Sequence, residues 1–431
     1  MTLFILAMAV TVVLLLIGVP VAFAFGVGAL LFSYITGSNI SFLLPHGYNT
    51  VASFSLLALP LFIFSGFVMA ESGISERILN FINAFVGRIK GGLGAVTVIS
   101  CTLFGAISGS STAAIAAIGK IMIPRMVKEG YPEGHATGLV ACSSVLALLI
   151  PPSIPMIIFS ITSGISVGAA FLSTIVPGLL LALWYCVLNH FILRNEQGIQ
   201  VQKPKSYKAQ FQNIQQTGRK ATFALLMPII ILGTIYSGLA TPTEAASIAV
   251  VYSVVIGLMV YKGISFKQLM DITVSSVAMT GSIIAVLFFL FVMSRAMVFQ
   301  QIPNLIADAL LQISDNKLVL LLLINVLLML IGMIVDDISG SILAAVIFLP
   351  IIKALGIDPI HFAAIVGVNL GLGNISPPCA PMLFMAGGVA KLSLDKYIKP
   401  TMKLILLGHL PMVLIVTFIP SLSLYLPSVL L

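Results

Sequence analysis

Pro151-Pro152-Ser153-Ile154-Pro155-Met156 lies in the middle of a long apolar run, and Pro377-Pro378-Cys379-Ala380-Pro381-Met382 repeats the pattern in the second half of the chain. Proline removes a backbone donor and its ring collides with the preceding turn, so three prolines in five residues break a helix. In lipid, a broken helix strands carbonyls that only protein or a wet cavity can satisfy. A single break reads equally as a tolerated kink, since proline is fairly common in membrane helices. Two matched breaks, one in each half of the chain, point to a site.

Composition supplies the membrane. Of 431 residues, 59% are hydrophobic and 8% charged, and the mean hydropathy is +1.17; soluble domains carry about 25% charged residues. Several runs exceed the roughly 20 residues that a bilayer crossing needs. The chain therefore reads as an all-α polytopic membrane protein, with the lipid bilayer as its surroundings. Its net charge of +8 is read as loop charge that sets topology rather than as a nucleic-acid footprint. Residues 2–17 lack the basic stretch of a cleavable leader. Cys101, Cys142, Cys186 and Cys379 fall in apolar segments without metal-ligand spacing, which predicts neither disulfides nor zinc.

Working outward from the two breaks, spans are predicted at 2–18, 19–36 and 56–70, followed by a polar, basic loop at 71–90. The run 93–124 is interrupted at Ser108-Gly109-Ser110-Ser111-Thr112. Its arms of about 13–16 residues are too short to cross alone at 1.5 Å per residue, which predicts a re-entrant hairpin. A broken helix at 135–163, a span at 168–193 and a polar loop at 194–220 complete the first half. The second half repeats the plan: spans at 221–239 and 244–261, a loop at 262–267, and a span to 292. An amphipathic arm at 297–316 follows, lying in the membrane interface. A second hairpin of short arms covers 318–350, interrupted at Asp336-Asp337-Ile338-Ser339-Gly340-Ser341. A broken helix at 359–389 and a last span at 404–424 end the chain.

Charge fixes the orientation. If both interrupted runs are hairpins, the loops 71–90, 120–134, 194–220, 262–267 and 391–403 share one side and hold 18 of the 21 Lys and Arg. Basic loops face the cytoplasm, so both termini are expected outside and the two hairpins enter from opposite faces. Residues 1–220 and 221–431 then form two inverted-topology repeats. Pro124 and Pro350 are separated by the same sequence offset as Pro151 and Pro377. Inverted repeats whose discontinuous helices meet near the midplane are a secondary-transporter architecture.

The chemistry concentrates at the interruptions. Ser108, Ser110, Ser111 and Thr112 supply four hydroxyls, and Gly109 allows close backbone approach. Hard cations take oxygen ligands, and this tip facing Pro151, Pro152 and Ser153 offers hydroxyls and open carbonyls together. Small residues also serve tight helix packing, and that reading fits the same cluster. The second tip carries Asp336 and Asp337, and an ionised carboxylate in an apolar segment is a functional candidate by default. With Ser339 and Gly340, opposite Asn374, Ser376, Pro377 and Pro378, one of the pair forms a second cation site; capping of the return arm is the other reading. Glu244 reads as a first-turn acid behind an N-cap at Thr243. His135, His190, His361 and His409 have no partners at ligand spacing and read as structural. Arg295 reads as an interface anchor or as a greeting for an anion.

These segments resemble the large membrane subunit of tripartite ATP-independent periplasmic (TRAP) transporters. The likeness is carried by Phe104-Gly105-Ala106-Ile107-Ser108-Gly109-Ser110-Ser111-Thr112 and by Ile118-Gly119-Lys120-Ile121-Met122-Ile123-Pro124. Gly18-Val19-Pro20-Val21-Ala22, Ala240-Thr241-Pro242-Thr243-Glu244-Ala245-Ala246 and Gly373-Asn374-Ile375-Ser376-Pro377-Pro378 add to it. The resemblance implies a sodium-driven importer of organic acids in the bacterial inner membrane. It further implies a small membrane subunit, absent from this chain, and a periplasmic substrate-binding protein. The implied fold is a scaffold plus a moving domain of elevator type, as in the ion transporter superfamily. Carried over, the ion sites fall at Ser108–Thr112 with Pro151–Ser153 and at Asp336–Gly340 with Asn374–Pro378. Cargo contacts are expected from Ser110, Ser111, Thr112, Ser153, Asp337 and Cys379. The hydroxyl-rich tip favours sialic acid over a C4-dicarboxylate. Proton coupling through an aspartate or Glu244, and a passive anion channel, are the alternatives. An aspartyl protease needs two carboxylates facing each other to share a proton, and adjacent acids in one segment do not supply that, so no enzyme is expected.

Overall fold

The computed structural model describes residues 2–86, 91–196, 198–199, 207–314 and 316–431, and every regular element among them is helical. Eight of the described helices are long and apolar enough to cross a membrane. The chain is an all-α polytopic membrane protein organised around two hairpins and two broken helices. Arg88, Lys90, Lys203 and Lys205, which entered the charge count, lie outside the described residues.

Each hairpin turns where the sequence stops favouring helix. Gly92–Ser108 ends on Gly109, whose φ of +61° is left-handed, a conformation that glycine reaches without a Cβ penalty. Ser110 caps the return arm by accepting from the Ala113 N–H. That arm runs through Ser111–Ala114, a π-helical turn at Ile115–Gly119 and Lys120–Lys128. The second hairpin is Lys317–Ile334 and Asp337–Ala354, separated by the extended Val335 and Asp336. Asp336 caps its return arm, accepting from the N–H groups of Ile338 and Ser339 and from the Ser339 hydroxyl at 2.5 Å. The offset from Ser110 to Asp336 equals that from Pro151 to Pro377, so the repeat relates the two caps as well.

The broken helices interlock the repeats. Glu133–Ser144 tightens into a 3-10 turn at Val145–Leu148, stops, and restarts as Ile154–Ser163. Pro359–Ile375 stops at Ser376 and restarts as Pro381–Ala390. The Pro151–Pro152 and Pro377–Pro378 peptides are both cis. Each leading half packs against the hairpin of its own repeat. The trailing halves exchange: Ile154–Ser163 lies on Asp337–Ala354, and Pro381–Ala390 lies on Ile115–Gly119 and Lys120–Lys128. Outside this centre, Val21–Ile35, Ile40–Val51 and Ala58–Glu71 pack along the 34-residue helix Phe266–Phe299. Ala58–Glu71 reaches the first tip, where a Cβ on Gly66 would lie 3.1 Å from Ser108 Cα.

Buried histidines tie these parts together. His135 and His361, again at the repeat offset, are each the third residue of a leading half. His135 Nε2 meets Asn189 Oδ1 at 3.0 Å, while Asn189 Nδ2 donates to the Gly91 carbonyl at 2.8 Å. His361 bonds the Ser423 hydroxyl at 2.6 Å and the Thr417 carbonyl at 3.3 Å. His409 bridges Tyr185 at 2.8 Å and the Val368 carbonyl at 2.9 Å. Asn189→Ala is expected to leave two buried groups at the foot of the first hairpin unpaired, at about 1–3 kcal/mol for such a loss. Its thermal midpoint in detergent should fall by several degrees; an unchanged midpoint contradicts the clamp.

Several boundaries differ from the sequence reading: the expected loops 120–134 and 391–403 hold the helices Lys120–Lys128 and Leu394–Leu404, and the last span ends at Phe418, before a separate helix Ser421–Leu430. The expected loop 71–90 contains the helix Ile74–Val86, which buries Ile74, Ile78, Leu79 and Ile82 on one face and leaves Glu76 outside; its charges masked an amphipathic period. The expected loop 194–220 becomes helical from Tyr207, as the polar half of the 30-residue Tyr207–Tyr236. Thr2–Leu16 and Val21–Ile35 are 15 residues each, about 22 Å long and shorter than a bilayer core, and an unforeseen helix, Ile40–Val51, follows them. The arms of the second hairpin are 18 residues each rather than short: the leading arm is helical up to Ile334, and the return arm starts at Asp337 and continues through Pro350 to Ala354.

Candidate functional site

The two hairpin tips touch. Ser111 Oγ donates to Asp337 Oδ2 at 3.2 Å, and the Asn374 side-chain amide donates to Asp337 Oδ1. One carboxylate therefore joins the first tip, the second tip and the end of the second leading half. Successive residues point about 100° apart on a helix, and the acid pair divides its work accordingly. Asp336 is committed to its cap, whereas Asp337 faces across the molecule. Asn374 is fully buried, and its Oδ1 has no hydrogen-bond partner.

The first tip also rests on the first break. A Cβ on Gly109 would stand 2.6 Å from the Pro152 carbonyl oxygen, so only glycine allows that approach. Pro151, Pro152 and Ser153 are buried, and Ser153 Oγ has no hydrogen-bond partner. Hydroxyls, an open carbonyl and an unpaired oxygen thus converge at one place. The second expected set converges less completely. Asp337 and Asn374 meet, but Ser339 is held by Asp336, Gly340 packs on Leu370, and Ser376 Oγ donates to the Leu372 carbonyl at 2.7 Å. Pro377 and Cys379 are half-buried and Pro378 is exposed.

Beside each tip lies a cavity. The first, of about 510 Å³, is lined by Ser108, Ser110 and Thr112, with Lys120, Glu71 and Met279 among its walls. Ser110 Oγ and Thr112 Oγ1 bond each other at 2.8 Å. The tip therefore has two faces: Ser110 and Thr112 look into the cavity, and Ser111 looks at Asp337. The second cavity, of about 550 Å³, is lined by Asp336 and Ile338 with apolar walls that include Phe23 and Phe289. Asp336 and Ile338 stand at the repeat offset from Ser110 and Thr112. Helix Phe266–Phe299 borders both cavities.

Residues 8–422 match the family model of the tripartite ATP-independent periplasmic transporter, DctM component. The chain belongs to this family. Among curated DctM relatives, the C4-dicarboxylate TRAP transporter large permease DctM of Pseudomonas aeruginosa is 36% identical, over 93% of this chain and 92% of its own length. The sialic acid TRAP transporter large permease SiaM of Vibrio cholerae is 34% identical, over 96% of each chain. The isethionate TRAP transporter permease DctMQ of Oleidesulfovibrio alaskensis is 33% identical over 95% of this chain, which spans 64% of that relative's length. In fold, the chain is similar to the YdaH transporter of Alcanivorax borkumensis, whose crystal structure reveals an unusual topology. The TM-score is 0.62 at 17% identity, over 88% of each chain.

Other residues of this DctM chain take specific places. Glu244 belongs to a capping box with Thr241, not with Thr243: the Thr241 hydroxyl accepts from Glu244 N, and the Glu244 carboxylate accepts from Thr241 N. Arg295 lies 4.7 Å from the Phe299 ring centroid. His135, His361 and His409 are paired within the fold, as above. Sequence reading sets Lys120 where the first hairpin run and the basic loop 120–134 overlap and gives it no role at the site. The signal was present, because Ala113, Ala116, Ala117 and Lys120 recur at helical spacing and line one wall of the first cavity.

Proposed function

We propose that this chain is the large membrane subunit of a sodium-driven organic-acid importer in the bacterial inner membrane. Its partners are a small membrane subunit and a periplasmic substrate-binding protein, and both of its termini are periplasmic. The observation that carries the reading is Asp337, held between Ser111 and Asn374 in an apolar segment. A carboxylate there is expensive unless neutralised; a sodium ion neutralises it, and an anionic cargo alone does not. Ser153 Oγ and Asn374 Oδ1, buried without partners, supply further oxygens of the kind hard cations take. Sodium travels as co-substrate, with one set at Ser108–Thr112 and Pro151–Ser153 and the other centred on Asp337 and Asn374.

The cargo sits in the cavity at Ser110 and Thr112, where Lys120 offers a cation to a carboxylate. The hydroxyls favour a polyhydroxylated monocarboxylate such as a sialic acid over a C4-dicarboxylate, and relatives of similar identity are named for both. The interlocked hairpins and broken helices move as a unit, in elevator fashion, against the outer helices, with the cargo at the boundary that both cavities border.

Uptake of a labelled sialic acid by the complex in liposomes should stop when potassium replaces sodium. Unchanged uptake sinks the coupling. Sodium-dependent uptake of labelled succinate with none of labelled sialic acid sinks the cargo assignment. Thr112→Ala is expected to raise the cargo KM at saturating sodium about 2- to 12-fold, the loss of one neutral hydrogen bond. An unaltered KM places the cargo elsewhere.

A further inference from the structure

We propose that the Ser111–Asp337 hydrogen bond couples the two sodium sets, which makes Ser111 a positioning residue for ion binding rather than a cargo contact. The inference rests on the sodium-symport reading above and assigns to one hydroxyl the dependence of each ion set on the other.

The repeat geometry carries it. Ser111 and Asp337 are separated by the same offset that relates Pro151 to Pro377, Ser110 to Asp336 and His135 to His361. A residue touches its own repeat mate only on the pseudo-two-fold axis, where the two halves meet. Ser111 and Asp337 make such a contact at 3.2 Å. Each also follows directly on the cap of its return arm, so neither moves without its tip.

On either side the contact continues to a break. Gly109, two residues before Ser111, rests on the Pro152 carbonyl. Asp337 receives the Asn374 amide at the foot of the second break. A cation drawn to Asp337 on its Asn374 side fixes the carboxylate, and the other oxygen then holds Ser111 and presses the first tip against Pro152. Loading of the first set fixes Ser111 and presents the carboxylate to the second. Such coupling is reciprocal by thermodynamic necessity and typically amounts to about 5- to 150-fold in affinity.

The cargo face does not compete for this hydroxyl. Ser111 is 1% exposed, whereas Ser110 and Thr112 bond each other and line the cavity. Removing the Ser111 hydroxyl should therefore separate ion cooperativity from cargo recognition.

The test uses the whole complex and two readouts: uptake in liposomes, and sodium-induced thermal stabilisation in detergent without cargo. Wild type is expected to respond to sodium sigmoidally, with a Hill coefficient approaching about 2 for two coupled sites. Ser111→Ala should lower it in both readouts to the value for two uncoupled sites and raise the sodium half-saturation, while the cargo KM at saturating sodium stays unchanged. Ser111→Thr, which keeps a hydroxyl, should restore the sigmoid, and Ser111→Val, of the same shape without it, should not. The Thr/Val pair decides the matter if the alanine variant does not fold. A Hill coefficient that Ala and Val leave at the wild-type value, or a wild-type response that is already hyperbolic, overturns the coupling and leaves symport standing. A wild type indifferent to sodium in both readouts overturns both.

Discussion

Asp337→Asn should cut sodium-dependent uptake roughly 10- to 150-fold while the protein still inserts and assembles. The amide has nearly the shape of the carboxylate but no charge to offer a cation. It also turns one acceptor into a donor, and that donor faces either the Ser111 hydroxyl or the Asn374 amide, both of which donate to Asp337. Hydrogen bonds to charged groups contribute about 1.5–3 kcal/mol, and each 1.4 kcal/mol is tenfold. Asp336→Asn should behave differently. Asp336 is a cap whose oxygens serve Ile338 and Ser339, and asparagine caps about as well as aspartate. Its sodium half-saturation should stay within about threefold of wild type. Initial uptake rates against sodium concentration for the two variants separate these roles; equal losses contradict the division of labour between the two acids.

Gly109→Ala is the second large effect. A left-handed alanine costs about 1–2 kcal/mol, and its Cβ would stand 2.6 Å from the Pro152 oxygen, which forces the first tip off the break. Sodium half-saturation and uptake should both worsen by more than about tenfold, the sum of strain and lost contact. Gly164 provides the comparison. Its φ of +73° is equally left-handed, but nothing lies within 4 Å of a Cβ there. Gly164→Ala carries the backbone term alone and should transport near the wild-type rate. If both variants transport alike, the Gly109–Pro152 approach has no bearing on ion binding.

Local chemistry was legible in the sequence. Proline and glycine act on their own turn, so the Pro151 and Pro377 breaks and the tips at Gly109 and Asp336 could be read directly. The repeat offset, first seen in prolines, extends to caps, histidines and cavity walls. What the sequence hid depends on direction or on distant partners. Whether Ser110, Ser111 or Thr112 faces the second tip is a matter of helix phase after a left-handed residue, and composition does not encode it. Adjacent aspartates look alike until one is seen bonding its own backbone. The exchange of trailing halves between repeats is tertiary and leaves no local mark. Ile74–Val86 and the polar half of Tyr207–Tyr236 were read as loops because their charges outweighed a periodic apolar face.

The central claim is that a sodium ion held at Asp337 drives organic-acid movement, and an imposed gradient tests it most directly. Liposomes containing the complex and its binding protein, with equal cargo inside and out, should accumulate cargo when an inward sodium gradient is the sole driving force. An inward proton gradient without sodium should leave the cargo at equilibrium. Accumulation driven by protons alone, or mere equilibration under the sodium gradient, contradicts the account.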